Sequence, residues 1–548
     1  MPKALIIYSL LLHRRCLYSP FPFPSSLTYA YKRLLSKYIF IGDSMRKSKV
    51  IFIKNALMLT ATGLIIRFLG MIFRVWLAGA VGAEGMGLYS QVFSFYMLAS
   101  AFASTGINTA VTRMVSEEVS KGRFGAVKPV LARCIAVTLT IALISAAVIF
   151  FGADFIADRI IGDSRAAPSL RALTPSLFFM GVSSCFKGYF IARKNAAPSS
   201  SSQIFEQLAR IVLIFILVGK TAEKGIIYSC RAVVLGDTLA EVLSCIFMYI
   251  WYNVDKSNFL SNVKREKPSF SVLKQLKHIA LPITAGRYAN SMLRTCENVL
   301  VPRCLEKSGM TGEAALAAFG VIKGMALPLI FFPASFLNAM STLLIPEMSE
   351  AAVRGWALKV KYTAEKCIHI TLVASFPISV IFFFLSARLG HLFYKDALSG
   401  EVIRLLSPII PLMYMDSVCD GLLKGLDEQG TIFRNSMVDS LARIALILAF
   451  LHKYGLYGFI GIMYVSNLFT CSMNFFRLKR VAKAEVKWAK WMIIPFVFAL
   501  MIGTIVYLLL DIFGLSNLVF SVIFAAITAL IYLFAVVKCG CITREDLR

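Results

Sequence analysis

Four arginines lie inside two long apolar stretches of a 548-residue chain, where a charge is expensive unless it faces water or a partner. The stretch NALMLTATGLIIRFLGMIFRVWLA (55–78) carries Arg67 and Arg74, and HIALPITAGRYANSMLRTCENVLV (278–301) carries Arg287 and Arg294. Seven residues make two helical turns, so each pair occupies one helix face, about 10 Å apart along the axis. Such stripes suit a wet, anion-holding cavity. Guanidinium stays charged and presents a fork of donors that matches phosphate oxygens in pairs. Lys187 and Lys323, in two other apolar stretches, add to the cationic set. The plainer alternatives are that these groups snorkel to an interface or are neutralised by nearby acids, as Glu297 would neutralise Arg294 three residues before it.

The acids form a second set. Glu206 and Arg210, like Asp439 and Arg443, stand at the i,i+4 spacing of an intrahelical ion pair, which is the structural role expected of them. Asn435 lies one turn before Asp439, giving two oxygen ligands on one face for a coupling cation. Asp416 and Asp420, with Lys424 a turn further, and Asp237 and Glu241 near Arg231, repeat the spacing and balance positive charge. Ser90, Gln91, Ser94, Ser104, Thr105 and Asn108 would meet sugar hydroxyls or hold helices together.

The elements that must position these groups are membrane helices. Of the residues 58% are hydrophobic and 16% charged, with a mean hydropathy of +0.72, which excludes an ordinary soluble domain. About fourteen stretches approach the roughly 20 residues a crossing needs, and none alternates as a membrane strand would. The net charge of +28 is spread over short loops, so nucleic acid is not an expected partner. With the N-terminus inside, cytoplasmic segments hold 32 Lys and Arg against 11 outside, which makes both termini cytoplasmic. The twelve cysteines show no disulfide or zinc spacing, and the five histidines do not cluster. HExxH, GxSxG and Walker patterns are absent, so the expectation is a transporter rather than an enzyme, without cofactor, whose energy comes from a gradient, with sodium or proton as the coupling ion, from the substrate itself, or from a partner.

The chain also repeats itself. An offset of 233 residues aligns LARIVLI (208–214) with LARIALI (441–447), Gly87 with Gly320, Ser116-Glu117 with Ser349-Glu350, Cys134 with Cys367 and Pro175 with Pro408. For the first helix of each copy the offset falls to 224, which sets Arg67 between the positions of Arg287 and Arg294. Two parallel six-helix repeats followed by two helices are therefore expected, with a site between the halves. The boundaries read as a non-native or disordered extension over 1–44 ahead of a start at Met45, an N-lobe over 45–252, a basic linker over 253–276, a C-lobe over 277–477, and two helices with a cytoplasmic tail over 478–548.

GAEGMGLY (82–89) followed by STGINTAVTRMVSEE (104–118) resembles the stage V sporulation protein B group of polysaccharide-exporter flippases, in the multidrug/oligosaccharidyl-lipid/polysaccharide superfamily. The resemblance covers about 45–540 and extends to lipid II flippases. It implies a monomeric, all-α, multi-pass protein of the bacterial cytoplasmic membrane. Its task would be moving an undecaprenyl-pyrophosphate-linked saccharide or a peptidoglycan precursor, for the spore cortex in sporulating bacteria, by alternating access. Partners would be that lipid-linked substrate, membrane lipids and cell-wall synthesis proteins. Carried over by position, Arg67 and Arg74 would be pyrophosphate contacts from one lobe and Arg287 and Arg294 from the other; Asn435 and Asp439 resemble part of a sodium site. The rival readings are a multidrug cation exporter of the same fold, whose cavity would be dominated by acids, and a non-transporting scaffold of a cell-wall synthesis complex, which needs no repeated arginines.

Overall fold

The computed structural model describes residues 25–259, 266–512 and 517–541, those of 25–54 by backbone alone. The expectation for residues 1–44 falls on this margin: 1–24 lie outside the described residues, and 25–44 are helical. Residues 1–56 form one unit, and residues 57–548 form the compact unit that holds everything below.

The described residues are helical almost throughout, with no strand among them, and include ten helices long and apolar enough to cross a membrane. Backbone polar groups in hydrocarbon must be satisfied within the segment, and a helix does this. Several of the ten are longer than one crossing requires, and a glycine breaks two of them. Leu57–Ser100 breaks at Gly82 (φ 77°), and Gln429–Ala482 at Gly455 (φ 55°), in the left-handed region where a Cβ is strained. Gly106–Ser120, Ser176–Ala192 and Val272–Lys307 are further helices that stand outside the ten. The count of fourteen crossings is thus an expectation beside ten helices that meet the test of length and apolarity.

Helix Val272–Lys307 carries the second arginine stripe. It packs against Gly106–Ser120 from the first half of the chain and against Gln429–Leu446 and His452–Ala482 from the second. Close approach depends on glycine. A Cβ on Gly106 would come within 2.4 Å of the Ala280 carbonyl oxygen. Gly87 and Gly320, equivalent in the sequence repeat, meet in a second crossing: a Cβ would lie 2.2 Å from the Leu316 oxygen or 2.0 Å from the Ala83 oxygen. Without a hydrophobic force between helices in lipid, such backbone contact supplies the attraction. Polar bonds tie the same helices. Thr295 Oγ1 donates to the Ser94 oxygen at 3.1 Å, and Asn298 Nδ2 donates to Ser94 Oγ at 2.7 Å.

Where the basic linker re-enters the fold, Ser269 donates through its amide and hydroxyl to Glu118 Oε1, at 2.8 and 2.7 Å. Glu118 is fully buried, so these bonds satisfy one oxygen of a carboxylate that would otherwise be costly, while the other faces Arg123 Nε at 3.8 Å.

Candidate functional site

A polar chamber of about 1480 Å³ lies among the helix Val272–Lys307, the stretch 86–97 and parts of the helices that carry Lys323, Asp416, Asp439 and Asn474. A smaller one of about 540 Å³ adjoins it, and the two share Arg74, Tyr89, Phe93 and Lys323. Arg67 lines the smaller, Arg287 and Arg294 the larger, and Arg74 both. The four arginines from the two apolar stretches therefore line two adjoining chambers with a common wall.

All four are exposed within it, and among the described residues none has a carboxylate within 4.0 Å. Glu297 does not close on Arg294. It is buried and turns to other helices, accepting from Lys323 Nζ at 3.0 Å and Arg443 Nη1 at 3.4 Å. Lys323 thus lines the chamber as a paired cation, whereas Lys187 lines neither space and stands 3.5 Å from Glu206. A π-helical turn over Val321–Ala326 carries Lys323, an irregularity that reorients side chains along a helix.

The chamber acids are each engaged by donors. Asp439 accepts from Arg443 at 2.6 Å through one oxygen and from Ser466 through the other. Asp420 holds Lys424 at 2.6 Å, Asp416 accepts from Asn474 at 2.9 Å, and Asp237 meets Arg210 at 2.9 Å. Asn435 donates to Asn474 at 2.9 Å, which leaves its own buried carbonyl oxygen without a partner. That oxygen and the second oxygen of Asp416, both on side chains bonded to Asn474, are of the hard type a sodium ion takes. Asp439, read from sequence as the second ligand, has both oxygens committed. Among the described residues no group of three His, Cys, Asp or Glu could hold a metal ion.

On the first half of the chain Glu206 and Arg210 lie 3.0 Å apart, and Arg210 also reaches Asp237 and Glu241. Of the small polar residues, Ser90 and Ser94 line the chamber but donate to carbonyls of their own helix, while Gln91 is buried. Sequence reasoning passed over Ser466, Asn467, Thr470 and Asn474. Their spacing of one, four and eight residues along an apolar helix puts a polar stripe on one face, and that signal could have been read.

An apolar groove of about 730 Å³ lies on the other side of two of these helices, lined by Phe376, Phe383, Phe475 and Phe496 among others. Met415 and Cys471 face the groove, while their neighbours Asp416 and Thr470 face the chamber.

The chain is 27% identical over 405 residues to stage V sporulation protein B of Bacillus subtilis (strain 168), covering 73% of this chain and 78% of that protein. It is 21% identical over 397 residues to the lipid II flippase MurJ of the same organism, covering 69% and 73%. A solved inward closed conformation of lipid II flippase MurJ superposes with a TM-score of 0.67 at 15% identity, over 90% of this chain and all of that one. An inward-facing multidrug resistance MATE transporter superposes at 0.61 and 15% identity, over 78% and 99%. These likenesses give an all-α membrane-transporter fold, and the relatives named are sporulation proteins and transporters rather than enzymes. Residues 307–449 match the MatE family. Residues 52–352, more than half of the chain, match the family described as polysaccharide biosynthesis protein, and to that family this multi-pass membrane protein belongs.

Proposed function

We propose that the protein is a flippase that moves an anionic undecaprenyl-pyrophosphate-linked saccharide or peptidoglycan precursor, one for the spore cortex, across the bacterial cytoplasmic membrane by alternating access. The observation that carries this reading is that Arg67, Arg74, Arg287 and Arg294 line two adjoining chambers, exposed and, among the described residues, without carboxylate partners. A diphosphate offers several oxygens to such guanidinium groups and would make charge-assisted, paired hydrogen bonds there. Asn290, Ser291 and Asn298 on the same wall give hydrogen-bonding capacity for sugar hydroxyls. The apolar groove behind the chamber has the composition a polyprenyl tail needs.

A multidrug cation exporter, the reading favoured by the MatE match, would need open carboxylates. The chamber acids each meet a donor, while among the described residues the four arginines meet no carboxylate. Sodium at Asn435 and Asp416, or protons, would supply the coupling.

The test is replacement of Arg67 and Arg287 by Gln in one chain, expressed in cells depleted of the native protein, with identification of the lipid-linked intermediate that builds up. The expected result is a folded, membrane-inserted variant and accumulation of a pyrophosphate-linked saccharide. Unimpaired export by that variant defeats the reading.

A further inference from the structure

Behind the smaller chamber the charges do not balance. Glu206 and Arg210 come from helix Ala197–Thr221, Asp237 and Glu241 from helix Ile226–Phe259, and Lys187 from helix Ser176–Ala192. Three carboxylates meet two cations, all with side chains no more than 26% exposed. The corresponding cluster around Glu297, Asp439, Lys323 and Arg443 has two of each. An uncompensated charge in such a place is costly, and the group neutralises instead.

The partners single out which acid is left over. Glu206 holds Arg210 at 3.0 Å, Lys187 at 3.5 Å and the Ser244 hydroxyl at 3.0 Å. Asp237 holds Arg210 Nε at 2.9 Å and the Tyr89 hydroxyl at 3.2 Å. Glu241 is buried and, among the described residues, has only a 3.9 Å approach to Arg210 and a 3.5 Å contact with the Tyr96 hydroxyl. The next cation is Arg74, which shares the chamber wall with Asp237, Arg210 and Tyr89 but comes within 4.0 Å of no carboxylate. With the chamber free of anions, Arg74 is the positive charge that offsets the excess. An anion on Arg74 cancels that offset.

We infer that Glu241 is a proton-binding site whose occupancy is tied to anion binding at Arg74: when a phosphate-type anion sits on the chamber arginines, one proton from water adds to a Glu241 carboxylate oxygen, and no other bond changes. The reciprocal holds by linkage, since protonated Glu241 tightens anion binding by the same factor by which the anion tightens proton binding. The coupling rests on the transport reading in that the chamber must take an anion; the surplus acid stands on the charge count alone. The groups facing Glu241 from its own helix and the elements packed around it are Lys187, Glu206, Arg210, Asp237, Tyr89, Tyr96 and Cys245, with Arg74 beyond them.

The test uses the full chain in lipid nanodiscs, with inorganic pyrophosphate as the probe, and reads the infrared carbonyl stretch of protonated carboxyl groups between about pH 5 and about pH 9. The expected result is a band that gains intensity on pyrophosphate addition, with its midpoint moving to higher pH. That band is missing in Glu241→Gln and present without pyrophosphate in Arg74→Gln. Because Glu241→Gln mimics the protonated acid, it is expected to fold at least as well as wild type. Lys187→Gln, which deepens the imbalance, is expected to move the midpoint up further. A band unchanged in Glu241→Gln, or no response to pyrophosphate in a folded wild-type chain, overturns the inference. A midpoint that follows sodium concentration instead of pyrophosphate also overturns it, assigning the surplus charge to a metal cation. Precursor accumulation in cells, not this spectrum, reads the flippase proposal, so the two can fail separately.

Discussion

At the scale of single residues, Glu297 orders more of the chamber than one charge ordinarily would. It is buried, and it bridges Lys323 and Arg443 from two other helices. Removing one member of a buried ion pair leaves the others uncompensated, at a cost of roughly 3–5 kcal/mol. Glu297→Gln is therefore expected to lower the thermal unfolding temperature in detergent markedly. Adding Lys323→Gln should restore part of the loss, because the orphaned ammonium goes with it; a double variant that simply sums the two losses rules out the bridge. Sequence could place Glu297 one turn from Arg294, since i,i+3 neighbours on a helix are readable from spacing. It could not show that the side chain turns across to Lys323, because partners on other helices depend on how those helices are packed. The same limit hid the approaches of Arg210 to Asp237 and Glu241, while Glu206 and Arg210 at i,i+4 were visible at once.

At the scale of elements, two contacts set how the helices meet, and both permit direct tests. Gly320 lies where a Cβ would come 2.0 Å from the Ala83 carbonyl oxygen, and that backbone cannot yield without moving a whole helix. Gly320→Ala is expected to destabilise by about 1–3 kcal/mol. Gly63→Ala, where nothing lies within 4 Å, should be neutral or slightly stabilising, as alanine is the better helix former. Equal unfolding temperatures for the two variants contradict the crossing. The second contact is the turn between Ala397–Gly425 and Gln429–Ala482. There Glu428 accepts from Arg477 Nε at 3.0 Å and from Thr431 at 2.6 Å, and the guanidinium holds its carboxyl below the usual carboxylate range. A depressed folded value means the clamp stabilises fully above the unfolded value, about 4.3 for glutamate, and is lost as pH falls through the folded one. The difference in unfolding temperature between wild type and Glu428→Gln should thus be present at neutral pH and shrink in acid; a difference that persists unchanged at about pH 3 contradicts it. The match of Gly87 with Gly320 was legible as sequence repetition, but nothing in it said that the two glycines touch. The break at Gly82 follows the apolar stretch that ends at Ala78, so a helix end there was readable from sequence.

At the scale of the molecule, the chamber and the apolar groove lie back to back, and on the proposed reading they divide the labour of holding a lipid-linked anion. The division is unequal for a physical reason. A polyprenyl tail entering the groove leaves lipid tails that are as apolar as the phenylalanines it meets, so transfer from the bilayer yields packing but no hydrophobic gain. The headgroup exchanges water for guanidinium groups in a site of lower dielectric, where charge-assisted bonds strengthen. Recognition should therefore reside in the arginines, with the groove guiding the tail. Phe496→Glu puts a charge at a position 48% exposed on a membrane-spanning helix, where it is costly beside lipid as well as beside a hydrocarbon chain in the groove, so membrane insertion of this variant is checked first. In one depletion background this variant is expected to slow export only severalfold, against a near-complete block in the Arg67→Gln, Arg287→Gln chain, as read from the amount of accumulated lipid-linked intermediate. Native mass spectrometry supplies the second readout: the arginine variant should still carry a long isoprenoid that Phe496→Glu has lost. The opposite order of blocks would move recognition to the tail, and the four converging guanidinium groups would then need another explanation.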